Sequence, residues 1–468
     1  MTAEVPAPAV DLTSERAPMP RSAPRRRRRY TAAVLAVGLT GSLLSLSALP
    51  AQAADVPRPL GASVPDSPKK ALTPAKDKLG SHDRTLLQKA ESSKKSTVTV
   101  MLATGEGDTK TLRAKIADVG GHVGKADDEL GYVRATVPTG KVAALAGLAS
   151  VRAVDLNETY RIPDPSPVTA ADNEKVSRTG SPAAPGKGTP ADNPYLPVAE
   201  TGATGFTAEH PSWDGRGVTV GILDTGVDAS HPALRTTTDG KPKIQDWVTA
   251  TDPVADADPT WLEMRLNVSA VNGTFRNGGV DYRAPDGSYE FQIFDEDSTW
   301  GGELGGDVNR DGDYKDRFAV LYRPSDHRIW VDADLDHAFG DEDVVEPYAK
   351  SGTWGTFGTD DPETAVAESM PFTVEYRDDV DLSARGGSSV GKTADFVNIG
   401  IVAGAHATHV AGITAGHGMF GGKMDGAAPG ARIVSERVCL FASGCTSYAL
   451  AEGMIDAVVN KGVDVVNL

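Results

Sequence analysis

The sequence predicts an α/β protein: a parallel sheet flanked by helices, interrupted by a mostly β insertion and preceded by a small α+β domain. Three observations carry this expectation. Gly217-Val-Thr-Val-Gly-Ile-Leu223 is apolar with little interruption, as strands covered on both faces are, and it ends on an acid, Asp224. Residues Ala405–Gly416 consist almost wholly of Ala, Gly, Thr, Val, Ile and His, a composition suited to a helix packed on every side. Ahead of both, residues 98–156 switch between the apolar spacings of strands and of helices.

The chain opens with an address rather than a fold. Arg25–Arg29 form a positive region, Thr31–Leu49 are apolar or small, and Ala51-Gln-Ala53 closes the segment with a cleavage signature. Residues 1–53 are therefore expected to be a signal peptide, with the mature protein secreted to the extracellular side. Gly38, Gly41, Ser42, Ser45 and Ser47 dilute the apolar run and argue against a permanent anchor, so contact with a membrane is expected only during export. The arginine run leaves a twin-arginine route open.

Residues 54–94, rich in Pro, Lys and Ser, read as a linker with a short helix near Leu86–Ser92. In residues 95–162, Val98–Leu102, Tyr132–Val137 and Val151–Leu156 read as strands. Leu112, Ile116 and Val119 space a helix closed by Gly120-Gly121, and Val142–Leu148 a second one. That succession suits a ferredoxin-like α+β sandwich. Residues 163–198, rich in Pro, Ala, Gly and Ser, read as an exposed linker in which maturation cleavage is expected.

Chemistry enters at Val220-Gly-Ile-Leu-Asp224-Thr-Gly226. An acid at the carboxyl end of a buried parallel strand lies where open α/β sheets place functional groups. Away from water a carboxylate needs a partner, and a His that donates its Nδ1–H is a suitable one. Alone, Asp-Thr-Gly is also a common turn in which Asp224 does no more than cap the chain. His406-Ala-Thr-His409-Val-Ala-Gly412 supplies the partner, a His in the first turn of a small-residue helix. His406 and His409 share a helix face. The Glu that stands between the two His of a zinc-protease helix is missing, so a metal pair is not expected. Asp followed by His is the chain order of one form of the Asp–His–Ser relay.

These two motifs, with Gly426-Ala-Ala-Pro-Gly-Ala-Arg-Ile433 and Asp464-Val-Val-Asn-Leu468, resemble the subtilases, the subtilisin-like serine peptidases. The resemblance implies a subtilisin-like sheet, catalytic roles for Asp224 and His406, and a structural role for His409. Ala407 stands where the family usually has Gly, and its methyl group is expected to crowd the packing beside His406. By the same resemblance, residues 199–468 are the N-terminal part of a catalytic domain, and residues 95–162 an inhibitory pro-domain that acts on its own enzyme. The family's Gly-Thr-Ser motif does not occur in these 468 residues. The expectation is a fragment of a serine endopeptidase precursor, without turnover of its own, whose parent acts on proteins or peptides.

The long interval between Asp224 and His406 holds an insertion at about residues 240–395. Thr238-Asp-Gly-Lys-Pro-Lys-Ile-Gln-Asp246, Ile329-Trp-Val-Asp332 and Gly355-Thr-Phe-Gly-Thr359 are similar to the insertion of tripeptidyl peptidase II. Acids matching that enzyme's grip on a substrate amino terminus cannot be placed, so endopeptidase action is expected.

The net charge of −17 is uneven. Between Asp286 and Glu346 stand 18 acidic and five basic side chains, which argues against a nucleic-acid surface. Within that stretch Asp307, Asn309, Asp311 and Asp313, with Gly312 at the sixth position and Asp316 beyond, match the first half of a calcium loop. Phe318 stands where the loop's closing Glu belongs. Asp332, Asp334 and Asp336 form a second cluster without the Gly. Calcium is thus a candidate structural ion; no organic cofactor is expected. The bland reading is a pair of solvated acidic turns between strands at Phe318–Tyr322 and Ile329–Val331. A second function class fits the same features: a secreted, non-catalytic calcium-binding or inhibitor-like protein derived from a subtilase. Cys439 and Cys445 are either a disulfide staple or two small partly buried thiols.

Overall fold

The computed structural model describes residues 78–105, 107–161, 196–340, 343–360, 369–442 and 444–468. The expected signal peptide, most of the first linker and nearly all of the 163–198 linker with its cleavage lie outside the described residues.

The first domain comprises α1 (Ser81–Ser92), β1 (Thr97–Thr104), α2 (Thr109–Asp118), β2 (His122–Asp127), β3 (Tyr132–Pro138), α3 (Val142–Ala146) and β4 (Val151–Leu156). The strands form an antiparallel sheet in the order β2-β3-β1-β4. Val98, Val100 and Leu102 of β1 face one side with Val133, Ala135 and Val137 of β3, and Leu112, Ile116, Val142 and Leu145 cover them. Helix α1 begins at Ser81, earlier than its polar composition indicated. Its Leu87 and Ala90 join the same core, so the domain extends ahead of residue 95. Met101 points to the other face and packs with Tyr448 and Ala449 of the second domain. A short strand, β5 (Thr159–Tyr160), follows.

The second domain begins its sheet with β6 (Thr219–Asp224) and β7 (Ile244–Thr249). The insertion follows as β8 (Trp261–Glu263), β9 (Leu266–Ala270), β10 (Thr274–Asn277), β11 (Val280–Arg283), β12 (Gly287–Asp295), β13 (Arg317–Arg323), β14 (Arg328–Val331), β15 (Val344–Val345), β16 (Gly355–Phe357), β17 (Met370–Asp381) and β18 (Thr393–Gly400). It is mostly β, as expected. One sheet runs β15-β14-β13-β12-β9 and another β16-β17-β18-β8, with β10-β11 as a separate hairpin. Phe294, Phe318, Phe357 and Phe372 fill the space between the two sheets, with ring centroids as close as 4.2 Å. On the far face of the first sheet, Phe275, Tyr282, Phe291 and Phe339 seat the hairpin.

The chain returns through α4 (His406–Ala415), β19 (Arg432–Arg437), β20 (Cys439–Leu440), β21 (Gly444–Thr446), α5 (Ser447–Ile455) and β22 (Val465–Asn467). The parallel sheet runs β22-β6-β19-β7. Since β7 is one of its strands, the insertion starts after Thr249 rather than near residue 240. Alternate side chains of β6 and β19 serve opposite faces: Val220, Ile222 and Ile433 pack on Ala407, Ala411 and Ala415 of α4. Leu223 and Val434 pack on Tyr448 and Ala449 of α5. Helices on both faces explain the uninterrupted apolar strand. Cys439 and Cys445 face each other across the β20-β21 pair and are disulfide-bonded. Among the described residues no helix is long and apolar enough to cross a membrane.

Candidate active site

Asp224 is the last residue of β6 and His406 the first of α4. Although 182 positions apart, they meet: His406 Nδ1 donates to Asp224 Oδ2 at 2.6 Å. The Asp224 side chain is 6% exposed and the His406 ring 52%, so one partner is held in the fold and the other opens to solvent. Oδ1 of Asp224 accepts the Thr225 N–H at 2.6 Å.

The residue after the acid does more than turn the chain. The Thr225 hydroxyl donates to the Gly404 carbonyl at 2.9 Å and accepts the Ala407 N–H at 3.1 Å. The Thr225 carbonyl accepts the Ala403 N–H. The two loops that carry Asp224 and His406 are thus tied through one side chain. Gly226 has φ 92°, and a Cβ there would lie 2.8 Å from the Trp247 ring, so the position needs Gly on both counts. Trp247 in turn donates Nε1–H to the Val227 carbonyl at 2.7 Å. Ala407 is fully buried within the cluster of Val220, Ile222 and Ala411. His409 is exposed.

Three further residues hold this geometry, and none belongs to the Asp224 or His406 motif. Lys243, wholly buried, donates to the carbonyls of Ala415, Pro429 and Ala431 at 2.6, 2.6 and 3.1 Å. It therefore caps the far end of α4, although burial pulls its ammonium down to about 8. Arg437, at the carboxyl end of β19, donates to Asp258 at 2.7 Å and to Thr260 at 2.6 Å, joining the sheet to the insertion. Glu303 of the insertion accepts the Ala405 N–H at 2.7 Å, the first turn of α4. Nothing in the local sequence around Glu303 distinguishes it from its acidic neighbours. A cavity of about 350 Å³ lies in the insertion beside Trp261, Arg385 and Phe396, and its lining includes neither Asp224 nor His406.

Besides the Met101 packing, the first domain contacts the second through a buried charge cluster and through strand pairing. Arg134, with its side chain 4% exposed, donates to Glu452 of α5 at 2.6 Å and to Asp252 at 2.5 Å. Tyr132 and Lys125 reach the same Glu452 at 3.0 and 3.2 Å. Burial pushes the Asp252 carboxyl up, but Arg134, the Ala255 and Val254 N–H groups and Arg377 together outweigh this and leave it below the usual range. Separately, β5 adds antiparallel to β21, Tyr160 opposite Cys445 and Thr159 opposite Thr446. This is a strand added to an exposed sheet edge.

The expected calcium loop is rearranged. Asp313 and Asp316 bring carboxylate oxygens together with Glu296, all within 4.8 Å. Asp307 instead accepts the Gly312 N–H, Asn309 bonds Asp316 and Asp311 accepts the Asp313 N–H. Five residues read as one coordination set therefore do not converge. Three turn to their own loop, and Glu296, eleven positions upstream of Asp307, was missed. No His belongs to either three-ligand acidic group found among the described residues.

An acid at the end of a parallel strand, joined to a solvent-facing His at the start of a helix, has the geometry of two members of an Asp–His–Ser charge relay. The comparisons with known proteins narrow the class. The model of the subtilase family, Peptidase S8, matches residues 215–468, and one described as "Putative peptidase inhibitor domain" matches residues 71–157. Pyrolysin of Pyrococcus furiosus is 24% identical over 421 residues, covering 79% of this chain and 28% of pyrolysin. Tripeptidyl-peptidase 2 of Arabidopsis thaliana is 25% identical over 331 residues, 58% of this chain and 23% of that protein. The crystal structure of tripeptidyl peptidase 2 superposes on 57% of this chain and 24% of that one at 18% identity. Its TM-score of 0.40 is too low to bear on the fold. This chain belongs to the subtilase family. It spans about a quarter of the length of these curated relatives.

Proposed function

We propose that the protein is an exported precursor of a subtilisin-like serine endopeptidase, with Asp224 and His406 as two members of its charge relay. The observation that carries this reading is the 2.6 Å bond between the His406 Nδ1–H and a buried Asp224 carboxylate. With Nδ1 committed, Nε2 is the nitrogen that takes a proton from the attacking hydroxyl and returns it to the leaving amine. Asp224 fixes the tautomer and stabilises the imidazolium. The nucleophile is the serine of the family's Gly-Thr-Ser motif, which is not among these 468 residues. Substrates are proteins or peptides bound as an added strand along β21.

In this reading residues 78–161 are a ferredoxin-like pro-domain that inhibits its own enzyme. Support comes from the inhibitor-domain match, from the Arg134 contacts, and from β5 lying on the β21 edge in the manner of a bound peptide. Export rests on the tripartite N-terminal segment. Calcium enters as a structural ion at Glu296, Asp313 and Asp316, with no part in the chemistry.

The test is hydrolysis of an unfolded polypeptide by the product of the complete coding sequence. His406→Ala is expected to lower kcat by about six orders of magnitude and Asp224→Asn by about four, with the fold intact by circular dichroism. Undiminished turnover in either variant sinks the assignment. Absence of turnover in the unmodified protein, after cleavage within residues 163–198, favours the non-catalytic reading.

A further inference from the structure

A second acidic turn, outside the site and independent of the peptidase reading, holds a wholly buried carboxylate with an unpartnered oxygen. Strand β14 ends at Val331, and Asp332 continues into the interior. Asp332 is wholly buried, and its Oδ1 has no hydrogen-bond partner among the described residues. Its Oδ2 lies 3.4 Å from His337 Nδ1, too long for a strong bond. Asp334 and Asp336 follow at the mouth of the turn, both exposed, and all three bring carboxylate oxygens within 4.8 Å of one another. Burial holds the Asp332 carboxyl above its usual range, with His337 pulling partly the other way. Arg283 reaches the cluster at its exposed end, 3.3 Å from Asp336.

A carboxylate enclosed in this way is costly without a counter-charge, and a half-paired one is no remedy. In the first acidic turn the wholly buried residue, Glu296, is better satisfied, although Asp307 Oδ1 there is also buried without a partner among the described residues. Both oxygens of Glu296 accept backbone N–H groups, from Asp316 at 2.8 Å and Val308 at 3.1 Å. We propose that Asp332, Asp334 and Asp336 form a binding site for a hard divalent cation of calcium size. Asp332 is the fixed inner ligand and the two exposed acids are the adaptable outer ones. Water and backbone carbonyls complete such a shell.

The ion would act as a clasp. The Asp332 N–H bonds the Ala319 carbonyl of β13 at 2.9 Å. Past the turn, the His337 carbonyl accepts the Arg283 N–H at 2.9 Å and Phe339 N–H donates to the Arg283 carbonyl at 2.8 Å. Phe339 then stacks on Phe275 and Tyr282. Holding residues 332–336 on one cation therefore fixes the β10-β11 hairpin to the five-stranded sheet.

The test uses the full chain, stripped with chelator and titrated with calcium chloride by calorimetry, with melting followed in parallel. Asp313→Asn/Asp316→Asn serves as the background, which silences the other acidic group. This background is expected to bind one calcium and to melt higher with it. Adding Asp334→Asn/Asp336→Asn, at exposed positions that leave folding intact, is expected to weaken binding about 100-fold or more and to abolish the rise in Tm. Asp332→Asn is expected to lose the calcium response while melting no lower than its parent in chelator, because the uncompensated charge is gone. Absence of binding in the background overturns the proposal. So does binding that persists after Asp334→Asn/Asp336→Asn.

Discussion

At the carboxyl edge of the parallel sheet, two side chains 182 positions apart meet at 2.6 Å. In the acidic loop, three oxygen-bearing side chains within five positions turn to their own loop. The difference lies in what holds each place. Asp224 and His406 end elements whose other faces are buried on both sides, so their positions are set by packing and by Thr225. Asp307, Asn309 and Asp311 sit on a turn whose backbone N–H groups need acceptors, and the nearest carboxylates supply them. Closeness in sequence guarantees local hydrogen bonding; convergence on a shared centre needs a scaffold.

That contrast can be broken by mutation. The largest effect is expected where a scaffold contact carries charge. Arg134→Ala leaves Glu452 and Asp252 short of their shared cation in a buried setting, a loss of about 3–5 kcal/mol. After cleavage within residues 163–198, the first domain should release from the second about 100-fold or more readily, read as a dissociation constant by surface binding. Lys125 and Tyr132 still reach Glu452, which sets the lower end of that range. A change of less than about threefold would place the hold between the domains elsewhere, on β5 and the Met101 packing.

Next comes Glu436, fully buried on β19 with both carboxylate oxygens unpartnered among the described residues. Burial first, and the charges of Asp456 and Glu375 after it, push this carboxyl up to about 10 from an ordinary 4.5. The sign follows from proton counts. Between those pH values the folded state holds a proton that the unfolded chain has lost, so stability falls as pH rises through the window. From pH 4.5 to 7 the loss is about 3 kcal/mol, and Glu436→Gln should flatten the slope in melts taken across that range. An unchanged slope would mean that the carboxylate finds a partner after all.

A smaller effect is expected at Thr225→Val, which keeps the shape and removes the hydroxyl. Ala407 N–H is then buried without an acceptor, at about 1–3 kcal/mol. In a form of the protein that carries the proposed serine, kcat should fall more than KM rises, because the orientation of His406 is lost and the β21 edge is not. The smallest belongs to the acidic loop: Asp311→Asn should move the calcium-free melting free energy by no more than about 0.5 kcal/mol. A large loss there would erase the distinction between loop and scaffold.

Much of this was legible in the sequence. The strand before Asp224 announced itself by its apolar run, and the His406 helix by its small residues, because burial on both sides leaves little choice of side chain. The first domain's strands showed their alternation. What the sequence hid were residues whose role depends on a distant partner. Arg437 and Glu303 carry ordinary side chains in ordinary surroundings, Lys243 sits in a stretch noted only for its resemblance, and only the fold brings three carbonyls, Asp258 or the Ala405 N–H to them. Helix α1 was partly hidden for the opposite reason: its exposed face dominates its composition. The disulfide, left open between two readings, followed from the register that sets Cys439 opposite Cys445.

One pairing sets the terms on which a peptide reaches the β21 edge. Thr159–Tyr160 and Gly444–Thr446 belong to one chain, so their association is unimolecular while residues 163–198 join them. A tethered segment of this kind presents itself at an effective concentration on the order of millimolar, whatever the dilution of the protein. An outside peptide must exceed that figure, weighted by its own affinity, to displace it. Once the connection is cut, the same strand competes at the bulk concentration of the released domain. Occupancy of the edge then varies with dilution, which it could not do before.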